Sequence, residues 1–267
     1  MNASRVAAIV LRLYYLYRGS PARLFPLIIW VAVDVLLWGL LTRYLNGIAH
    51  ASFDFVPALL GAVLLWDFLT RVMQGITMAF FEDVWSRNFL NLFASPLTVS
   101  EYLAGLIIAA IATSLISVSV MVIFAQAAFG LSLLTFGVAL APFLLVLFIT
   151  GIALGIAATA LVLRLGPASE WLIWPIPTVL SPFAGVFYPI SALPPFMRVV
   201  STILPPSYVF EGMRAVVAGQ PTPWVDLGVA FILSLVYLAL AGWLFSRVFE
   251  HVIDNGLLAR YSAESIG

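Results

Sequence analysis

The chain has 267 residues, of which 63% are hydrophobic and 9% charged, with a mean hydropathy of +1.12 and a formal net charge of zero. A soluble domain carries about 25% charged residues, so a water-soluble globule is excluded. The long apolar runs, each near the roughly 20 residues an α-helix needs to cross a bilayer, describe a polytopic, all-α integral membrane protein. The balanced charge gives no indication of a nucleic-acid partner.

Absences narrow the chemistry. All twelve basic residues are arginine, and a P-loop needs a lysine to reach the β- and γ-phosphates, so the chain is not a Walker-type ATPase. Without lysine there is no Schiff-base route, and without cysteine no thiolate, disulfide or Cys-ligated metal site. The two histidines, His50 and His251, fall near opposite membrane faces, which argues against a paired His metal site. No GxSxG, HExxH or paired acidic motif marks an intramembrane enzyme.

Residues 1–23 come first. Their apolar run Val6–Leu11 is too short for a signal-peptide core. Arg5, Arg12 and Arg18 punctuate an aromatic and aliphatic background, the composition of an amphipathic helix lying in the headgroup plane. Six spans are predicted next, near 24–42, 56–81, 102–128, 137–163, 171–188 and 224–248, followed by a tail at 249–267. The positive-inside rule puts both termini in the cytoplasm: Arg5, Arg12, Arg18, Arg23, Arg87, Arg164, Arg247 and Arg260 then lie inside, against Arg43, Arg198 and Arg214 outside.

Two connections are long. The cytoplasmic segment 82–101 places Trp85, Phe89, Leu92 and Phe93 at i, i+4, i+7 and i+8, which predicts a short amphipathic helix. Ser95-Pro96 breaks it. Thr98 and Glu101 have capping-box spacing and start the third span. The fifth span is interrupted by Pro175, Pro177 and Pro182, each of which removes a backbone donor. The outer segment 189–223 holds seven of the sixteen prolines. Its pieces Phe196–Leu204 and Tyr208–Ala218 read as short re-entrant helices in the outer leaflet. Thr222 is the expected N-cap of the last span, with Pro223 at its first position.

These parts together, LFASPL at the elbow, GVFYPISALPP and LPPSYVFEGMRA, resemble the permease subunit of ABC-2 type exporters over essentially the whole chain. The resemblance implies a permease in the cytoplasmic (inner) membrane that pairs with a second copy of itself or a related permease and docks two separate ATPase subunits. ATP and magnesium would be bound by those partners, with no cofactor in this chain. It also implies that the elbow is a coupling helix, which assigns Glu82, Asp83, Arg87, Asn88, Phe89, Ser95, Pro96 and Leu97 to the ATPase contact. Phe187, Tyr188, Pro189, Pro194, Pro195, Glu211 and Arg214 would belong to an outer gate or exit surface. Relatives of this kind move lipids, glycans, peptides and drugs.

Three ionisable residues, Asp34, Asp67 and Arg71, fall deep in the spans, where an unpaired charge costs at least about 2.5–3.5 kcal/mol. Asp67 and Arg71 are i, i+4 with the acid N-terminal, the favourable order. At about 1.5 Å rise per residue, Asp34 and Arg71 each lie about 15 Å from the inner ends of their spans. An Asp34–Arg71–Asp67 cluster tying spans one and two is therefore expected, either as a structural tie or as part of a transport path. Gly151, Gly155 and Ala158 permit close helix approach in span four. The alternative function is a proton-coupled secondary transporter using Asp34 and Asp67, although such carriers show paired broken helices and here span five alone is strongly interrupted.

Overall fold

A computed structural model describes residues 2–20, 25–49, 56–86 and 89–257. Arg23, His50, Arg87, Asn88 and Arg260 lie outside the described residues, as does the side chain of Phe89. Among the described residues there is no strand. Five helices are long and apolar enough to cross a membrane: α2 (Phe25–Ala49), α3 (Gly61–Trp85), α5 (Val99–Phe129), α6 (Leu140–Leu165) and α10 (Trp224–Asp254). The short helices are α1 (Ala3–Gly19), α4 (Phe89–Ala94), α7 (Pro175–Ala184), α8 (Pro195–Ile203) and α9 (Pro205–Val217).

Helix α3 is the axis of the bundle. It packs against α5 on one side and α6 on the other, and α6 carries α10 on its far side. Glycines set these spacings. A Cβ on Gly75 would lie 3.1 Å from Ala110 Cα, and one on Gly151 2.8 Å from the Leu69 carbonyl oxygen. One on Gly155 would meet Ile76 Cβ at 2.9 Å. The small residues of the fourth predicted span thus serve close packing of α6 on α3 within one chain. Buried hydroxyls on these helices, such as Thr113 and Thr150, donate to carbonyls one turn back on their own helix, which satisfies them where water is excluded.

Residues 171–188 do not form a helix of span length. The chain leaves α6 at Gly166, makes a 3-10 turn over Pro167–Leu172 and continues as the ten-residue α7. Proline is the reason: Pro182 has no N–H for the Thr178 carbonyl, and the Ser181 hydroxyl donates to it instead at 3.0 Å. The segment still runs from one end of the bundle to the other. Glu170 meets Trp85 at the foot of α3, whereas Gly185 meets Arg214 of α9 at the opposite end. Both α1 and the last turns of α10 lie at the foot, since Asn2 contacts Glu101 and Phe249 contacts Phe93.

Several boundaries differ from expectation, α2 for one running on to Ala49 instead of ending near 42. Trp85 belongs to the last turn of α3 rather than to the elbow helix, because burial of Phe80, Phe81 and Val84 extends α3. The last span starts at Trp224 with Pro223 as its cap residue, one position later than expected, and no side chain caps it.

Candidate functional site

The foot of the bundle is built around two acids. Asp83, in the last turn of α3, is fully buried. It accepts a hydrogen bond from the Tyr102 hydroxyl at 2.8 Å and is paired with Arg12 of α1. Burial lowers the Arg12 pKa from its ordinary value, and the neighbouring Glu82 carboxylate opposes the shift. Glu101, in the first turn of α5, collects the other contacts. It accepts from the backbone N–H of Asn2 at 2.6 Å and of Thr98 at 3.0 Å, and pairs with Arg5 at 3.4 Å. The Thr98 hydroxyl accepts from the Glu101 N–H at 3.3 Å, which completes the expected capping box.

Helix α1 is therefore clasped to the foot of the bundle. Its Val6, Ile9 and Leu13 are buried at i, i+3 and i+7, and Ile9 sits where a Cβ on Gly105 would be, 2.5 Å away. Arg5 also donates to the Pro96 carbonyl, so α1 reaches the break of the elbow itself. The elbow helix α4 is held from the other side by Phe93, whose ring lies 5.3 Å from Tyr102 and 4.4 Å from Phe249. A groove of about 310 Å³ remains between α1 and the elbow, lined by Arg5, Arg12, Leu92 and Ser95–Leu97. Ser95 and Pro96 are exposed and Leu97 is half-buried. Asp83, one of the residues expected at a docking surface, faces inward.

At mid-depth the structure brings Asp34, Asp67 and Arg71 together. Arg71 Nη2 lies 3.0 Å from Asp34 Oδ2 and 3.1 Å from Asp67 Oδ1, and its Nε donates to Asp67 Oδ2 at 3.3 Å. One guanidinium thus serves two carboxylates from different helices. The cluster borders a cavity of about 980 Å³ that extends along α3 to Glu82 and Trp85, with Trp30 and Trp174 on its walls.

The opposite end carries the proline-rich segment. Arg214 donates to the Gly185 carbonyl at 2.8 Å and to Glu211 Oε1 at 2.9 Å, while Glu211 also accepts from the Ile190 N–H at 2.6 Å. Gly185 has a φ of +62°, a left-handed conformation that ends α7 without a Cβ penalty. The Tyr188 hydroxyl donates to the Pro182 carbonyl at 3.2 Å, and Phe187 stacks on Trp38 of α2 at 5.2 Å. Pro194 caps α8 and Pro195 opens it, while Pro189 precedes a short 3-10 turn, Ile190–Ala192. The seven residues expected at an outer gate thus sit in one contact network or directly beside it.

A family model described as ABC-2 family transporter protein matches residues 45–245. The chain belongs to the ABC-2 transporter family. A search of curated proteins found no match. The ABC-2 match runs from the end of α2 into α10 and contains the elbow, Asp67, Arg71 and the whole outer segment. ABC-2 permeases are membrane subunits rather than ATPases. Helix α1 and Asp34 precede the matched residues, and three ion pairs, Arg5–Glu101, Arg12–Asp83 and Asp34–Arg71, join them to the ABC-2 core.

The pair Arg12–Asp83 carried no sequence signal, because 71 positions separate its members and neither is in a motif. The Trp30 and Trp174 walls of the cavity were equally silent. Among the described residues no group of histidine, cysteine or acidic side chains is arranged to hold a metal ion.

Proposed function

We propose that this ABC-2 chain is the membrane subunit of an ATP-driven exporter in the cytoplasmic membrane, working as a pair of permeases on two separate ATPase subunits. The observation that carries the reading is the elbow at the foot of the bundle: a short helix and a proline break, held between α1 and the aromatic pair Tyr102 and Phe249. A push on such an elbow moves the feet of α3, α5 and α10 together, because close-packed contacts transmit displacement instead of absorbing it. The docking contact falls to Glu82, Ser95, Pro96 and Leu97, and to Arg87, Asn88 and Phe89 by the family resemblance. Asp83 acts from within by anchoring Arg12.

Both termini are cytoplasmic on this reading, since α1 and the end of α10 share the foot with the elbow, and the broken segment 166–185 supplies the sixth crossing. Closure of the partner ATPases around ATP and magnesium shifts the elbow and opens a route between the two permeases. Helix α2 offers an apolar exposed face, including Ile29, Val33, Leu37 and Leu40, to a second copy or to lipid. The segment from Phe187 to Arg214 forms the outer gate.

The test is reconstitution with the cognate ATPase. The purified chain alone is expected to hydrolyse no ATP, and the complex to hydrolyse it in a way that depends on residues 82–101. Stable ATPase docking after replacement of the entire elbow would overturn the coupling assignment. Proton-gradient-driven transport in ATP-free proteoliposomes would favour the carrier that uses Asp34 and Asp67.

A further inference from the structure

The geometry points to a binding site for a lipophilic organic cation in the 980 Å³ cavity, with Asp34 and Asp67 at its deep end and Trp30, Trp85 and Trp174 as its walls. The inference names a substrate class for the exporter reading and rests on that reading for the transport step, though not for binding.

Charge selects the ligand. Among the described residues, three carboxylates, Asp34, Asp67 and Glu82, line the cavity against one guanidinium, Arg71, a formal excess of two negative charges. Arg71 is already shared between Asp34 and Asp67. Arg12, which acts on Glu82 electrostatically, is paired with Asp83, so including both leaves the excess at two. An anion entering here meets no unshared cation among these residues. A cation is attracted at both ends, because Asp67 and Glu82 are fifteen positions apart on α3 and thus about 22 Å apart along it. Asp34 presents its carboxylate to the space, with 42% of its side chain exposed.

Size and wall chemistry select further. The volume is that of a site for a drug-sized molecule, about 300–1,000 Å³, and far exceeds what a bare metal ion fills. Indole faces attract organic cations through their quadrupoles and also pack apolar groups. The three tryptophans come from different parts of the chain, α2, α3 and the turn before α7, and each is about half exposed. Trp85 is oriented by donating to the Glu170 carboxylate at 3.1 Å. Met78 supplies an adaptable apolar surface between the two acidic ends.

The experiment uses two ions of the same shape and opposite charge, tetraphenylphosphonium and tetraphenylborate. Each is titrated calorimetrically into the purified full-length chain in uncharged detergent, without ATPase, with micelle blanks subtracted. The phosphonium is expected to bind about tenfold or more tightly than the borate, as attraction to one or two nearby carboxylates in a partly desolvated site provides. Asp34→Asn should weaken it by about tenfold, Asp34→Glu should largely retain it, and Trp174→Ala should weaken it without altering the melting temperature. Equal binding of the two ions, or phosphonium binding unmoved by both Asp34→Asn and Trp174→Ala, overturns the site. Phosphonium binding to the chain with no effect on hydrolysis by a docked ATPase complex would count against the exporter reading while leaving the site intact. Elbow-dependent hydrolysis with no cation preference would do the reverse.

Discussion

Arg12 of α1 is paired with Asp83, a carboxylate sealed from solvent at the foot of α3. The same carboxylate holds the Tyr102 hydroxyl of α5 at 2.8 Å. A surface helix, the central helix of the bundle and the helix that follows the elbow therefore meet at one side chain. In a low-dielectric interior an ion pair repays the loss of water only when both members are held, so this contact makes the position of α1 a condition of a stable foot.

Removing the cation should show this. Arg12→Ala leaves Asp83 buried with Tyr102 as its remaining partner. Breaking a buried pair from one side costs about 3–5 kcal/mol, and solvent access to the guanidinium moves the expected loss to the lower end. Thermal unfolding in detergent should show a clear fall in melting temperature. The double variant Arg12→Ala with Asp83→Asn should recover part of it. Equal stability of Arg12→Ala and the parent chain would mean that the pair holds nothing.

The mid-membrane cluster makes a charge-exchange prediction. Asp34→Arg and Arg71→Asp should each impair folding, because each brings like charges together within the spans and removes their counter-ion. The combined exchange should restore more folded protein than either single change, read as monodisperse yield after purification. No recovery would separate Asp34 from Arg71.

Packing of α1 can be probed without touching a charge. A Cβ at Gly105 would fall 2.5 Å from Ile9 Cγ2, so Gly105→Val should lever α1 off α5 at a cost of about 1–3 kcal/mol. Limited proteolysis should then cut near residue 20 faster than in the parent. Gly47→Val, where the added Cβ meets nothing within 4 Å, is the control and should leave cleavage unchanged.

At the end of the bundle opposite the elbow, Arg214→Met removes the donor that binds the Gly185 carbonyl and Glu211. Loss of charge-assisted hydrogen bonds of this kind costs about 1.5–3 kcal/mol. Hydrogen exchange should accelerate over residues 185–192, where the Ile190 amide depends on Glu211, and remain slow in α3. Uniform acceleration across the bundle would instead make Arg214 a global stabiliser.

The readable features share one property, short separation along the chain. Thr98 and Glu101 are three apart, Asp67 and Arg71 four apart, and helical geometry alone makes each pair neighbours. Asp34 could be joined to Arg71 only because depth in a bilayer is a coordinate that a sequence carries, through the rise per residue. The interruption of span five was visible in its prolines. That it would continue end to end as a 3-10 turn and a ten-residue helix was not, because the outcome depends on Ser181, Glu170 and Arg214 receiving its loose ends.

Composition and periodicity by themselves determined that this protein lives in a bilayer, where its apolar helices fall, where the elbow breaks and that the chain has no lysine for a P-loop. Tertiary structure alone decided that Asp83 is an internal anchor, that Gly151 and Gly155 face α3, and that three distant tryptophans enclose a space with Asp34 and Asp67. The physical reason is that hydrophobic burial is non-directional: it says that a residue is taken from water or lipid, and only the packing of helices says against what.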